Sequence, residues 1–343
     1  METGIRSRKW GWSSLRTNAT ALALIAALFS ALFLVNDTNI LHNIIVSENK
    51  RVAILVYLTL GSWVGVLANL VYNKLFGRFI EPAFSRERWV SSRVQLYSFM
   101  AGSLAAVSTF VYLTVAGEGD PSILIALSCF SIMYLAVYDH LKAREKLRGV
   151  VSAGLLVLVG AALVAVQDMS AGIHVTLKAL FLLLLVKSAL DAVSRVFEKE
   201  IVKESGSVNL AFWRFLWLAV TATILAFAWA SFAGIRNVYL ELLGSLWLKA
   251  LPWVALTMLL VYGGNTFRIL AQRYGNVSTV AIVGMAQVAI AVPLTLVIAG
   301  VAPSGTFTLP TDPKVWAVRF VGTILITFGI LLCPKAKKEK ETD

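Results

Sequence analysis

Only two cysteines, Cys129 and Cys333, occur in 343 residues, and no CxxC spacing is present. That scarcity argues against a disulfide framework and against a cysteine-based metal site. Histidine is as sparse: His42, His140 and His174 stand far apart. No Ser/His/Asp set, metal-ligand spacing or phosphate-cradling glycine loop accompanies them. Without a Walker motif the chain has no means of hydrolysing ATP, so any transport is driven by a gradient or is passive. Charge is also thin, with 15% of residues charged against 58% hydrophobic and a mean hydropathy of +0.77. These figures leave no room for a soluble domain of any size. No cofactor and no metal is expected, and no enzymatic activity.

What the chain does have is apolar length. A helix needs about 20 predominantly apolar residues to cross the hydrocarbon of a bilayer, where no water satisfies free backbone groups. Ten stretches meet that description: 20–35, 52–73, 95–116, 121–140, 149–166, 175–195, 209–233, 250–272, 278–300 and 315–333. The first is the weakest, being short and ending at Asn36 and Asp37. The triplet Asn36-Asp37-Thr38 also fits a glycosylation sequon and falls outside on this reading. The expected fold is therefore an all-α membrane protein with ten transmembrane helices.

Orientation follows from the basic residues of short connections, which favour the cytoplasmic side. With the N-terminus inside, the inner segments hold clusters such as Arg6, Arg8, Lys9 and Arg16, then Lys74 to Arg93, Lys142 to Arg148, and Lys335 to Lys340. The outer segments hold only Lys50, Arg51, Arg236, Lys249 and Lys314. Both termini are placed in the cytoplasm. The net charge of +12 then reads as attraction to a membrane surface. Its residues flank spans and form no single patch, so no nucleic acid is expected as a partner.

The chain also matches itself. A shift that carries Thr109-Phe110 onto Thr266-Phe267 places the third span on the eighth, the fourth on the ninth and the second on the seventh. Side-chain identity is slight, so the match is one of hydropathy and spacing. A half of five spans forces the second half into the membrane from the opposite face, giving two inverted five-helix repeats, N-in and C-in. Such repeats are common in transporters, where the solute site lies near the midplane between them. The expected division is 1–19 as a cytoplasmic N-terminal segment, 20–168 and 169–333 as the two repeats, and 334–343 as a cytoplasmic tail.

Several segments resemble the EamA family of the drug/metabolite transporter superfamily. Ser122-Ile-Leu-Ile-Ala-Leu-Ser-Cys-Phe-Ser, then Tyr138-Asp-His-Leu-Lys-Ala-Arg-Glu-Lys-Leu, then Gly149 to Val166 with Gly154 and Gly160, is similar to the end of an EamA domain. Asn209-Leu-Ala-Phe-Trp-Arg-Phe is similar to that family's second span, and Phe267 to Thr279 to its third-to-fourth junction. The departures are a long outer loop at 36–51 and the junction Gly300 to Lys314, with Pro303, Pro310 and Pro313. The resemblance implies ten helices, both ends inside, and movement of small organic solutes.

Ionisable groups within spans are expensive and need a partner or a water-filled cavity. Lys187 and Asp191 in the sixth span are spaced by one turn, so they share a helix face and can pair. A cavity-lining role has Lys187 meeting an anionic solute and Asp191 tuning it or carrying a proton; the alternative is a self-neutralised pair packed against a neighbour. Arg214, early in the seventh span, is read as an interfacial anchor or a partner for Glu198 or Glu200. Asn265 and Arg268 in the eighth span, with Gln287 in the ninth and Asn69 in the second, are the polar groups that could converge on a solute. Packing between helices is their other reading. Of the deeper aromatics, Trp63, Tyr112, Trp217 and Tyr262 are candidates for lining a cavity. Pro293 is expected to bend the ninth span.

The leading functional expectation is a secondary transporter in the cell membrane, moving an amino acid or similar amphipathic solute by alternating access. A translocator or flippase for a lipid-linked or nucleotide-linked sugar is the second expectation, and a scaffold or membrane enzyme the third. The expected partners are a small-molecule solute and the lipid bilayer, with room for a homodimer.

Overall fold

The computed structural model describes residues 17–116, 130–143, 147–166, 181–299 and 312–332, and every regular element among them is helical. The chain begins with α1 (Ala19–Asn39), whose N-cap Asn18 accepts from the backbone of Thr20 at 3.1 Å and Ala21 at 3.3 Å. Sequence reading ended this helix at Val35. It continues because the two polar residues beyond find partners inside the bundle. Asn36 Nδ2 donates to Thr257 Oγ1 at 2.7 Å and to the Trp253 carbonyl at 3.0 Å, while Asp37 accepts from the Tyr57 hydroxyl. Those bonds remove Asn36 from the exposed loop in which a sequon would act. A π-helical turn, Ile40–Ile44, closes the element.

The first half continues with α2 (Lys50–Ile80), α3 (Ser92–Ala116), α4 (Ser131–Ala143) and α5 (Leu147–Val164). A π-helical turn, Leu182–Lys187, leads into α6 (Ser188–Ser205). The turn from α6 into α7 (Ser207–Phe232) passes through Gly206 at φ 78°, a left-handed conformation in which a Cβ would also meet the Glu81 carboxylate. Beyond these come α8 (Arg236–Tyr274), α9 (Val277–Gly284), α10 (Ala286–Ala299) and α11 (Pro313–Leu332). Taking α9 and α10 as one interrupted rod, the described residues form ten rods. Seven of these are long and apolar enough to cross a membrane, and Gly149–Val164 is a shorter apolar helix. The expected fourth and sixth spans begin at 121–129 and 175–180, outside the described residues, and so does most of the proline-bearing junction before Lys314.

Two elements differ from the expected limits. The connection before residue 250, expected as an outer loop, is helical, so α8 is one helix of 39 residues, roughly 58 Å long at the usual rise. Its added turns hold because Leu242, Leu243 and Leu246 pack against the core and the Tyr239 hydroxyl bonds Thr59 Oγ1 at 2.9 Å. Pro252 is carried inside it, as membrane helices allow when neighbours support the backbone. The ninth span, in turn, breaks at Met285 between α9 and α10, while Pro293 sits within α10. Gly284, the poorest helix former short of proline, immediately precedes the break.

Packing sets the helices in a definite pattern. The heaviest contacts are α5 with α11, α1 with α8, α3 with α7, α2 with both α7 and α8, and α3 with α6. The α5–α11 contact is a backbone approach, in which a Cβ on Gly160 would lie 2.5 Å from the Gly322 carbonyl oxygen and the reverse substitution 2.5 Å from that of Gly160. Distribution of polarity is the opposite of a water-soluble protein. Glu198, Arg214 and Arg319 are buried, whereas Leu67, Leu75, Phe232 and Leu331 are each more than 60% exposed. Apolar side chains on the outside of apolar rods suit hydrocarbon as their surroundings.

Candidate functional site

A cavity of about 300 Å³ lies where α1, α2, α3, α6, α7, α8 and α9 meet, at the lower end of the range for small-molecule sites. One stripe of α6 supplies much of its charge. Lys187, Asp191 and Arg195 recur at four-residue spacing and Glu198 follows three later, so all four fall on one face. Lys187 Nζ bonds Asp191 Oδ2 at 2.5 Å and stands 5.9 Å from the centre of the Tyr112 ring. The other Asp191 oxygen accepts from Ser108 Oγ on α3.

Glu198 is fully buried and is shared by two arginines. Arg268 on α8 grips it bidentately, Nη1 to Oε2 at 2.6 Å and Nη2 to Oε1 at 3.1 Å, and Arg214 Nε on α7 forms a second ion pair. Bidentate geometry of this kind fixes both planes and is among the stronger charge-assisted contacts. Arg268 Nη2 also reaches Asn265 Oδ1 at 3.3 Å. Arg195 lies within electrostatic range of Asp191, Glu198, Arg214 and Arg268. It makes no hydrogen bond or ion pair among the described residues.

Of the residues singled out from sequence, Lys187, Asp191, Asn265, Arg268 and Gln287 line this cavity, as does Tyr112. Asn69 does not; its Nδ2 turns back to the Gly65 carbonyl at 2.7 Å on the same helix. Trp63, Trp217 and Tyr262 lie elsewhere, Trp63 donating to Thr223 Oγ1 and Trp217 to Gln95 Oε1. Of the two readings of Arg214, the structure takes the pairing with Glu198 and not the interfacial anchor. The buried Glu198 draws it into the cavity wall, and the guanidinium has no need to reach for headgroups. Sequence reading missed Arg195, Ser108 and the Asp37–Tyr57 pair, and it saw Glu198 only as a partner at the inner interface. Extending the Lys187–Asp191 spacing by one step of four and one of three along the same helix face would have found Arg195 and Glu198.

Near helix termini that carry Arg78, Arg93, Lys142, Lys203 and Arg273, polar bonds tie the first half to the second. Glu81 accepts from Arg273 Nη1 at 2.5 Å, Ser207 Oγ at 3.1 Å and the Val208 amide at 3.2 Å. Asp139 accepts from the Ser278 amide at 2.8 Å and hydroxyl at 2.5 Å. Neither α7 nor α9 has a side-chain cap of its own, so a carboxylate from the other half satisfies each helix start. Glu200 adds bonds from Tyr138 and Lys142. Burial pushes its carboxyl up, but those two bonds and the Lys142 charge outweigh burial and hold it below its ordinary value. That contact is present at neutral pH and is lost only as the pH falls beneath the ordinary carboxylate range.

The sequence matches no protein-family model and no curated protein. Twenty-four chains of solved structures match it. One of them, a protein crystal structure, aligns with a TM-score of 0.55 at 15% identity, over 95% of this chain and 99% of its own. A likeness at that identity concerns the fold alone.

Proposed function

We propose that this chain is a secondary transporter of the cell membrane that moves a small organic solute by alternating access. The observation that carries the reading is the cavity, enclosed by helices from both halves and lined by paired and unpaired charges that an apolar bundle would otherwise have no reason to bury. Its two halves are inverted five-helix repeats, with both tails in the cytoplasm. The helix pairing supports the repeat. Matching α1 to α6, α2 to α7, α3 to α8 and α5 to α11 turns the α1–α8 contact into α6–α3 and α2–α8 into α7–α3, while α2–α7 and α5–α11 map onto themselves. The EamA resemblance and the basic connections point the same way. In this arrangement the end held by Glu81, Asp139 and Glu200 faces the cytoplasm and is closed. Uptake of a solute panel into proteoliposomes, with and without a pH gradient, tests the reading. Lys187→Ala and Asp191→Asn are each expected to slow uptake by about tenfold or more with insertion intact. Unchanged rates in both variants would remove that pair from the path.

A further inference from the structure

The cations around the cavity are not all neutralised. Lys187 has Asp191, and Arg214 and Arg268 divide Glu198 between them. Asp37, which also lines the cavity, is engaged by the Tyr57 hydroxyl. Four cations thus face three carboxylates, and Arg195 is the one that no carboxylate meets among the described residues. A guanidinium cannot relieve its burial by losing its proton, because it stays charged at any ordinary pH. The missing charge must come from elsewhere.

We infer that the cavity takes a small organic monoanion, its carboxylate seated on Arg195 and its apolar body against Phe33, Leu113, Phe215 and Met258 of the same cavity wall. One carboxylate gives Arg195 the counter-ion it lacks among the described residues, and its two oxygens match the planar fork of a guanidinium. A cationic solute would face three neighbouring arginines. Gln287, at the break between α9 and α10, lines the cavity with an amide that makes no hydrogen bond among the described residues, and supplies a neutral donor or acceptor for the solute. The inference names the solute class for the transport reading and rests on it for its physiological meaning, but binding is measured without transport.

The test uses the purified full-length chain in detergent, titrated with benzoate and hexanoate, with benzamide and hexylamine as neutral and cationic counterparts, and with inorganic phosphate. Both carboxylates are expected to raise the unfolding temperature and to compete with one another, while the amide and the amine do neither. Arg195→Gln is expected to weaken carboxylate binding by about tenfold or more, and Arg195→Lys to retain part of it. Equal binding of acid and amide, phosphate binding above both carboxylates, no carboxylate binding, or full binding by a folded Arg195→Gln variant would overturn the inference. Should that variant fail to fold, the acid-against-amide comparison on the unaltered chain decides. Carboxylate binding without uptake in any gradient would remove the transport reading and keep the site; uptake of a neutral solute independent of Arg195 would do the reverse.

Discussion

Glu198 is the residue on which the interior of the bundle leans most. It is fully buried, and two arginines from two other helices close on its oxygens. Removing one partner of such a set leaves uncompensated buried charge, a loss of about 3–5 kcal/mol in known cases. Glu198→Gln is accordingly expected to lower the unfolding temperature of the detergent-purified protein sharply, whereas Glu200→Gln, at the partly exposed end, should shift it little. Equal temperatures for Glu198→Gln and the unaltered chain would show that the arginines find other support. The sequence made Lys187 and Asp191 legible because both sit in one helix at a recognisable spacing. It offered Glu198 as one partner for Arg214 but could not choose that reading over an anchor, because the two residues sit on different helices and Arg214 lies near a span end. Asn69 misled for a related reason, since an amide in a span bonds its own preceding turn as readily as a solute.

At the scale of elements, hydropathy gave most helices their approximate limits and missed what depends on contacts. The extension of α1 needs Thr257 and Tyr57 from other helices, and that of α8 needs Thr59. The caps of α7 and α9 come from Glu81 and Asp139, distant in sequence, and no local capping pattern announces them. The helix is interrupted at Met285, next to Gly284, and continues through Pro293, as proline within a supported membrane helix allows. A Cβ on Gly284 would meet nothing within 4 Å. Gly284→Ala should therefore gain up to about 1 kcal/mol of helix stability and raise the unfolding temperature, while stiffening the cavity wall and slowing uptake. Pro293→Ala should leave uptake close to the original rate. A slowing in Pro293→Ala with none in Gly284→Ala would place the functional bend at the proline after all.

At the scale of the whole molecule, the two halves meet through different chemistry at the two ends. The basic end is tied by carboxylates, and the other by neutral contacts such as Asn36 to Thr257 and Thr59 to Tyr239. Weakening the first should free that end. Asp139→Asn and Glu81→Gln together are expected to increase labelling of a cysteine placed at Thr279, the buried neighbour of Ser278, read as an increase of several-fold in rate with a membrane-impermeant thiol reagent; an unchanged rate would mean that these bonds do not hold the end shut. The seven long apolar helices were readable from the sequence, since bilayer thickness imposes apolar length directly. The convergence of α6, α7 and α8 on one cavity was not, because it depends on packing between rods whose outer faces look alike in sequence.

The claim that both halves share one solute path exposed alternately to each face is tested most directly at Ser30, which lines the cavity on α1. With Cys129 and Cys333 replaced by serine, Ser30→Cys would be treated with an impermeant thiol reagent from each face of sealed vesicles of known orientation. Modification from both faces, slowed by a bound solute, is the expected result; modification from one face alone, under every gradient and solute applied, would contradict it.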